Sequence, residues 1–307
     1  MSSVPAVQEG SRKAIIAALI ANGGIAIAKL IGFLLTGAAS LAAEAVHSFA
    51  DTSNQGLLLL GGKRARAKAS DLHPFGYGRE RYFWAFVVAL VLFMLGGVFA
   101  IYEGIEKLRH PHEVESIGIA IGILLVAVCL ETYSLTTAIK EANHVRGDAS
   151  WWQFIRRSRN PELPVVLLED IGAEVGLMMA LGGVITARVT HNPRWDAAGS
   201  LGIGILLVII AVVLVIEMKS LLIGESATDD DVAKIRGAIE TTPNVQRLLH
   251  MRTQHIGPDE LLVGAKLAMD PTLTFEQVAL TINDAEQRLR VVVPSARVVY
   301  LEPDTPR

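Results

Sequence analysis

The chain has 307 residues, of which 51% are hydrophobic and only 19% charged, with a mean hydropathy of +0.41, a balance that lies outside the soluble range and indicates a membrane protein. A net charge of −3, with no basic arm and no aromatic-interleaved basic patch, excludes a nucleic-acid partner. The single cysteine, Cys129, excludes an intrachain disulfide, and its place in an apolar run reads as a small buried hydrophobe.

Six apolar runs are long enough to span about 30 Å of hydrocarbon: Ala14 to Leu35, Ser40 to Gly61, Tyr82 to Tyr102, Ile117 to Ile139, Pro164 to Val189 and Ala198 to Leu222. The first comes after a short polar leader, 1–13, and is too long for a signal-peptide core, so no secretory signal is expected. Lys29 lies deep in this run, where the structural reading is either a buried partner for an acid such as Glu44 or Glu131, or a side chain snorkelling from near the helix end. The second and fifth runs carry clustered acids and should score weakest by hydropathy alone. Aromatic residues Tyr82, Phe83, Trp84 and Tyr102 bracket the third run as an interfacial belt would, and Trp151 and Trp152 suggest a short interfacial piece before the fifth.

Basic residues are unevenly shared between the two sides. The leader, the links from run two to three and from four to five, and the exit of run six hold Arg12, Lys13, Lys63, Arg64, Arg66, Lys68, Arg79, Arg81, Lys140, Arg146, Arg156, Arg157, Arg159 and Lys219. The opposite side holds Lys107, Arg109, Arg188 and Arg194. The positive-inside rule then places both termini in the cytoplasm, in a cell-membrane protein.

After Gly224 the pattern changes. Thr228 with three Asp directly after it predicts an N-capped helix to about Thr241. Strands are expected over Val245 to His255 and Leu261 to Ala268, joined by a turn at Gly257 to Glu260, then a helix from Phe275 to Val291 and a strand from Ala296 to Leu301. The expected architecture is an α-helical membrane domain over 1–224 and a small αββαβ, ferredoxin-like domain over 225–307.

The chemistry concentrates in runs two and five. Glu44, His47, Asp51 and then Asn54 or Gln55 share one helical face, and each charge at a bilayer centre costs about 3 kcal/mol, so the stripe must face inward toward a partner, water or a cation. His47 and Asp51 at i, i+4 can take one divalent ion, and Asp170 and Glu174 in run five repeat that spacing, with Glu169 rotated by about 100°. The mixed nitrogen and oxygen donors suit Zn2+ and accept Mn2+, Fe2+ or Co2+. A proton relay or hydrogen-bonded network without metal is the alternative. No H-E-x-x-H, G-x-S-x-G or phosphate-cradling glycine loop occurs, so an enzyme is not expected.

The wording Ser40-Leu-Ala-Ala-Glu-Ala-Val-His47-Ser-Phe-Ala-Asp51, with His73-Pro-Phe-Gly-Tyr77-Gly-Arg-Glu-Arg81 after it, resembles the cation diffusion facilitator family of metal exporters over the whole chain. The resemblance implies a homodimer with a metallochaperone-like cytoplasmic domain that exports zinc or a similar ion against protons. It places intramembrane ligands at His47, Asp51 and Asp170. Val166 stands where the family usually has a His, and Leu167-Leu-Glu-Asp170 resembles the zinc transporter nine-like branch, which leaves Glu169, Glu174 or water to complete the site.

In the loop, His73 matches a family ligand position while Tyr77 replaces a second His, so a structural loop is expected. In the C-terminal domain, Ala265 and Leu267 lie in the region where zinc-binding members place His residues. His250, His255, Glu302 and Asp304 remain as scattered polar residues, and the domain is expected to serve dimerisation. The competing readings are a metal-responsive membrane protein that binds without transporting, and a manganese or iron exporter of the same fold.

Overall fold

The structure, a computed structural model, describes residues 22–111 and 116–305, with the side chains of Leu92 and Phe93 left aside. The leader, the start of the first run and Pro306 lie outside the described residues. Contacts divide the chain into two compact units: one reaches to Leu60 and takes in Trp84–Ile155 and Glu162–Glu217, the other comprises Gly61–Phe83, Arg156–Pro161 and the chain from Met218 on.

The first unit is built from six long helices: α1 (Asn22–Thr36, as far as described), α2 (Ala39–Ala65), α3 (Glu80–Arg109), α4 (Ile117–Arg146), α6 (Glu162–Thr190) and α7 (Arg194–Ile223), with the short α5 (Trp151–Arg157) between α4 and α6. The described residues thus form an α-helical membrane protein with six long helices and a small α+β domain. Helices α3, α4 and α7 are long and apolar enough to cross a membrane by composition alone. Helices α2 and α6 fall below that measure because they carry the acids, the weakness anticipated from the sequence. Most helices outrun their apolar stretches by several residues. Hydrocarbon thickness sets the apolar length, whereas helical hydrogen bonding continues through the charged ends.

Gly37 makes the tight α1–α2 turn at φ 64, a left-handed conformation that only glycine adopts without strain, and its N–H returns to Phe33 O at 2.7 Å. Within α3, Val88–Phe93 forms a π-helical turn. Small residues seat α3 against α7. A Cβ on Gly204 would lie 2.8 Å from Gly97 O, and one on Gly104 would lie 2.7 Å from Leu201 Cγ. The same device joins α6 to α7, where a Cβ on Gly183 would meet Trp195 O at 2.9 Å.

Cys129 is exposed, which corrects the expectation of a buried thiol. Its neighbours Leu125, Val126 and Leu130 are exposed too, so the apolar run at this point of α4 does not mark a buried position.

The second unit contains α8 (Asp229–Glu240), β1 (Val245–Gly257), β2 (Glu260–Met269), α9 (Phe275–Val292) and β3 (Val298–Asp304). The sheet order is β1-β2-β3, with β1–β2 antiparallel and β2–β3 parallel, the connection passing through α9. Thr228 caps α8 by accepting from Asp231 N at 3.1 Å, and Thr274 and Gln277 form a reciprocal capping box on α9. Alternate β2 residues Leu261, Val263, Ala265 and Leu267 are buried with Ile235, Ile239, Ala285 and Leu289. Ala265 and Leu267 are therefore core residues, and metal cannot reach that register.

The other polar candidates here have protein partners. Lys266 Nζ lies 3.1 Å from Glu302 and 3.0 Å from Asp304, and His250 Nε2 accepts from Arg252 Nε at 3.1 Å. His255 is buried, and burial, together with the Arg159 guanidinium, holds its imidazole below the ordinary His value of 6.5.

In the loop between α2 and α3, polar side chains have protein partners. His73 and Tyr77 meet edge to face at 4.6 Å, the Tyr77 hydroxyl lies 3.2 Å from Ser70 Oγ, and Arg81 pairs with Asp259 at 2.9 Å. A Cβ on Gly78 would lie 2.8 Å from Ile256 O, so this loop backbone rests directly on the β1–β2 turn.

Two outcomes are expected from this packing. Gly204→Ala forces α3 and α7 apart and costs about 1–3 kcal/mol, whereas Gly182→Ala, whose Cβ would meet nothing within 4 Å, leaves thermal stability in detergent unchanged or raised. A neutral His255 contributes stability that is full above about pH 6.5 and is lost as pH falls from there toward its lower folded value. Amide-exchange protection of β1 and β2 should weaken between pH 7 and 5 in the parent and less in His255→Gln.

Candidate functional site

Polar side chains from α1, α2, α4 and α6 meet inside the first unit, those of α1 and α2 buried. On α2, Glu44, His47, Ser48, Asp51 and Asn54 are all buried, the stripe that i, i+3 and i+4 spacing requires. His47 Nδ1 lies 3.4 Å from Asp51 Oδ1. Such an i, i+4 pair presents one nitrogen and one oxygen donor from a single rigid face.

Helix α6 supplies the facing acids. Glu169 and Asp170 are buried, and Asn54 Nδ2 donates to Glu169 Oε2, tying the end of the α2 stripe directly to α6. Asp170 Oδ2 accepts from Ser134 Oγ of α4 at 3.1 Å, and Glu174 Oε1 accepts from Thr132 Oγ1 at 3.1 Å. The second oxygen of Glu174 is buried without a hydrogen-bond partner among the described residues. Glu169, Asp51 and Asp170 lie within electrostatic reach of one another. Val166, the position of the absent histidine, is half-buried on the same helix.

All five sequence-selected residues, His47, Asp51, Asp170, Glu174 and Glu169, therefore belong to one region between α2, α4 and α6. They do not yet form a coordination sphere: among the described residues, no three His, Cys, Asp or Glu side chains converge in a geometry that would hold an ion. The acids of α6 are turned to hydrogen-bond donors on α2 and α4 instead.

Lys29 of α1, the buried cation anticipated as a partner for an acid, is fully buried and donates to Glu44 Oε2 at 3.0 Å and to Ser48 Oγ at 2.7 Å. A second buried pair was not foreseen. Lys107 of α3 lies 3.0 Å from Asp196 Oδ2 of α7, both buried, and also donates to Gly37 O at 2.8 Å. Asp196 accepts from Ala39 N at 2.9 Å, from Ser40 N at 3.3 Å and from Ser40 Oγ, so a carboxylate from α7 caps the N-terminus of α2.

Lys107 is thus no loop charge, as the count of basic residues assumed. The signal lay in periodicity: Gly97, Gly104 and Lys107 fall on one face of α3, and Asp196, Ser200 and Gly204 on one face of α7. Lys107→Met should destabilise the protein by about 3–5 kcal/mol, because it strands a buried carboxylate. The double change Lys107→Met/Asp196→Asn should recover part of that loss in thermal melts.

Residues 15–223 match the cation efflux transmembrane domain, and 227–303 match the cytoplasmic domain of cation efflux proteins. The proton-coupled zinc antiporter SLC30A9, mitochondrial, of Xenopus laevis is 32% identical over 296 residues, covering 94% of this chain and 53% of that protein. Metal tolerance protein C4 of Arabidopsis thaliana is 31% identical over 73% of this chain and 50% of its own length. Magnetosome protein MamB of Magnetospirillum gryphiswaldense is 25% identical over 87% of this chain and 85% of its own length. The chain spans about half the length of the curated zinc antiporters it matches. Those antiporters are named mitochondrial, which lends no support to the expected plasma-membrane location. With both parts of the chain matched, one after the other, by the two domains of a single transporter architecture, this integral membrane protein belongs to the cation efflux, or cation diffusion facilitator, family of metal transporters.

Proposed function

We propose that the chain is a proton-coupled divalent-cation efflux transporter with zinc as cargo, and that it works as a homodimer through its C-terminal domain. The observation that carries this reading is the buried region joining His47 and Asp51 of α2 to Glu169, Asp170 and Glu174 of α6. Buried acids are costly, and such groups inside membrane spans mark ion pathways. The name of the zinc antiporter relatives agrees with this cargo. On this reading the protein is a carrier and not an enzyme, and its termini lie on the side richer in Lys and Arg.

In this mechanism Asp51 and Asp170 supply anionic oxygens and His47 a neutral nitrogen. Glu169 or Glu174 completes the sphere once it leaves its hydrogen-bond donor. Metal and protons compete for the same lone pairs, so metal entry expels protons and reprotonation expels metal. Alternating access then couples the two flows, with the site carried between orientations as in other carriers. With Val166 in place of a nitrogen donor the sphere is rich in oxygen, and oxygen donors narrow the preference for zinc over manganese or iron.

Purified protein in liposomes, given a panel of divalent ions under an imposed pH gradient, tests cargo and coupling together. Zinc flux that depends on the proton gradient is expected, with flux abolished and expression retained in Asp51→Ala. Binding without flux would favour a metal-responsive protein instead. Flux at the parental rate in Asp51→Ala would place the site elsewhere.

A further inference from the structure

Glu44 sits about one helical turn from His47 on the same face of α2, and its two oxygens are treated differently. Oε2 receives the Lys29 ammonium at 3.0 Å. Oε1 is buried with no hydrogen-bond partner among the described residues. It points at α6, into a notch that exists because residue 176 is glycine: a Cβ there would lie 2.6 Å from Oε1. A fully buried carboxylate with one oxygen bound by a flexible side chain and the other aimed unpartnered toward α6 is half-satisfied, and the unmet half is costly.

The Lys29 ammonium is the cation that Glu44 meets. Its field reaches Glu44, His47, Asp51 and Glu131, so it is a positive charge that all these groups share. It sits on a long, unbranched arm from α1, and its second bond is to the neutral Ser48 hydroxyl, which has no charge of its own to hold it. A compact point charge on a flexible stem suits displacement by a competing cation.

We propose that Glu44 is a further ligand for the transported divalent metal, and that Lys29 is a tethered surrogate cation that holds Glu44 in the empty transporter and is displaced when metal enters. The proposal rests on the transport reading above. It adds an oxygen donor on α2 to the sphere, and it gives the empty state an internal counter-charge. If Glu44 is released from Lys29 in only a fraction of empty molecules, apparent metal affinity is lowered by that fraction, and removing the lysine raises it.

Equilibrium zinc binding to the full-length protein in detergent, measured by calorimetry alongside thermal melts, tests this. Lys29→Met is expected to bind zinc about tenfold more tightly than the parent, as removal of a competitor requires, and Lys29→Arg about as the parent does. Glu44→Gln is expected to bind about tenfold more weakly, a loss of about 1.4 kcal/mol. The double variant Lys29→Met/Glu44→Gln should bind no more tightly than Glu44→Gln alone. A purely structural pair would lower the melting temperature of Lys29→Met without tightening binding, and that result overturns the proposal. Tightening that persists in the double variant also overturns it, because the lysine would then act only through its field. Should Lys29→Met not fold, the isosteric Glu44→Gln decides, and parental affinity there sinks the idea. Asp51→Ala is the control for the transport reading: zinc binding unchanged in that variant removes the site itself, whereas its loss there with parental binding in Glu44→Gln removes Glu44 alone.

Discussion

Every carboxylate buried in the membrane unit has to be met by something, and α2 is where those obligations accumulate. At its N-terminus the chain's own N–H groups and Lys107 are satisfied by Asp196 of α7. One turn further on, Glu44 is met by Lys29 of α1, and near the far end of the stripe Asn54 is bonded to Glu169 of α6. The helix is held at three levels by three different neighbours. Each link involves a charge that would be expensive alone in this environment. Small residues on α3, α6 and α7 allow these neighbours to approach, since polar links are short and need backbones brought close.

Much of this was legible in the residues, and the reasons differ by element. The C-terminal unit was readable in its element order and most boundaries, because Thr228, Thr274 and the turn at 257–260 announce them by local hydrogen bonding, which needs no tertiary information, whereas the last strand, expected over Ala296 to Leu301, runs Val298–Asp304. The stripe on α2 was readable because ionisable groups in a membrane-length run have few places to go. Lys107 and Asp196 were not, because each stands near a helix end where a charge is ordinarily solvated. Their spacing from the glycines of α3 and α7 was the one signal, and the contact between the two helices shows both ends to be interior. Cys129 failed for the complementary reason, since apolar neighbours in a membrane helix signal either protein or lipid. The partners of Glu169, Asp170 and Glu174 were equally out of reach of spacing, because Asn54, Ser134 and Thr132 come from other helices.

The second unit has a different economy of charge. Its acids and bases pair at the surface, where exposed ion pairs contribute little, and its stability comes from a single core between one sheet face and two helices. The α2–α3 loop and the short segment 156–161 are gathered into this unit by Arg81 to Asp259, by Arg159 to Glu225, and by Gly78 on the β1–β2 turn. Parts of the chain that connect membrane helices are therefore fixed by polar contacts, whose strength depends on salt.

The wide turn at Val88–Phe93 gives α3 two azimuths instead of one. Widening the backbone there rotates the C-terminal half of the helix relative to the N-terminal half, by up to about 100° for one inserted residue. Before the turn Tyr82 donates to Arg159 O at 3.1 Å, and after it Gly97, Gly104 and Lys107 lie on the face turned to α7. A wide turn is also a place where i→i+5 bonds can exchange for i→i+4 bonds.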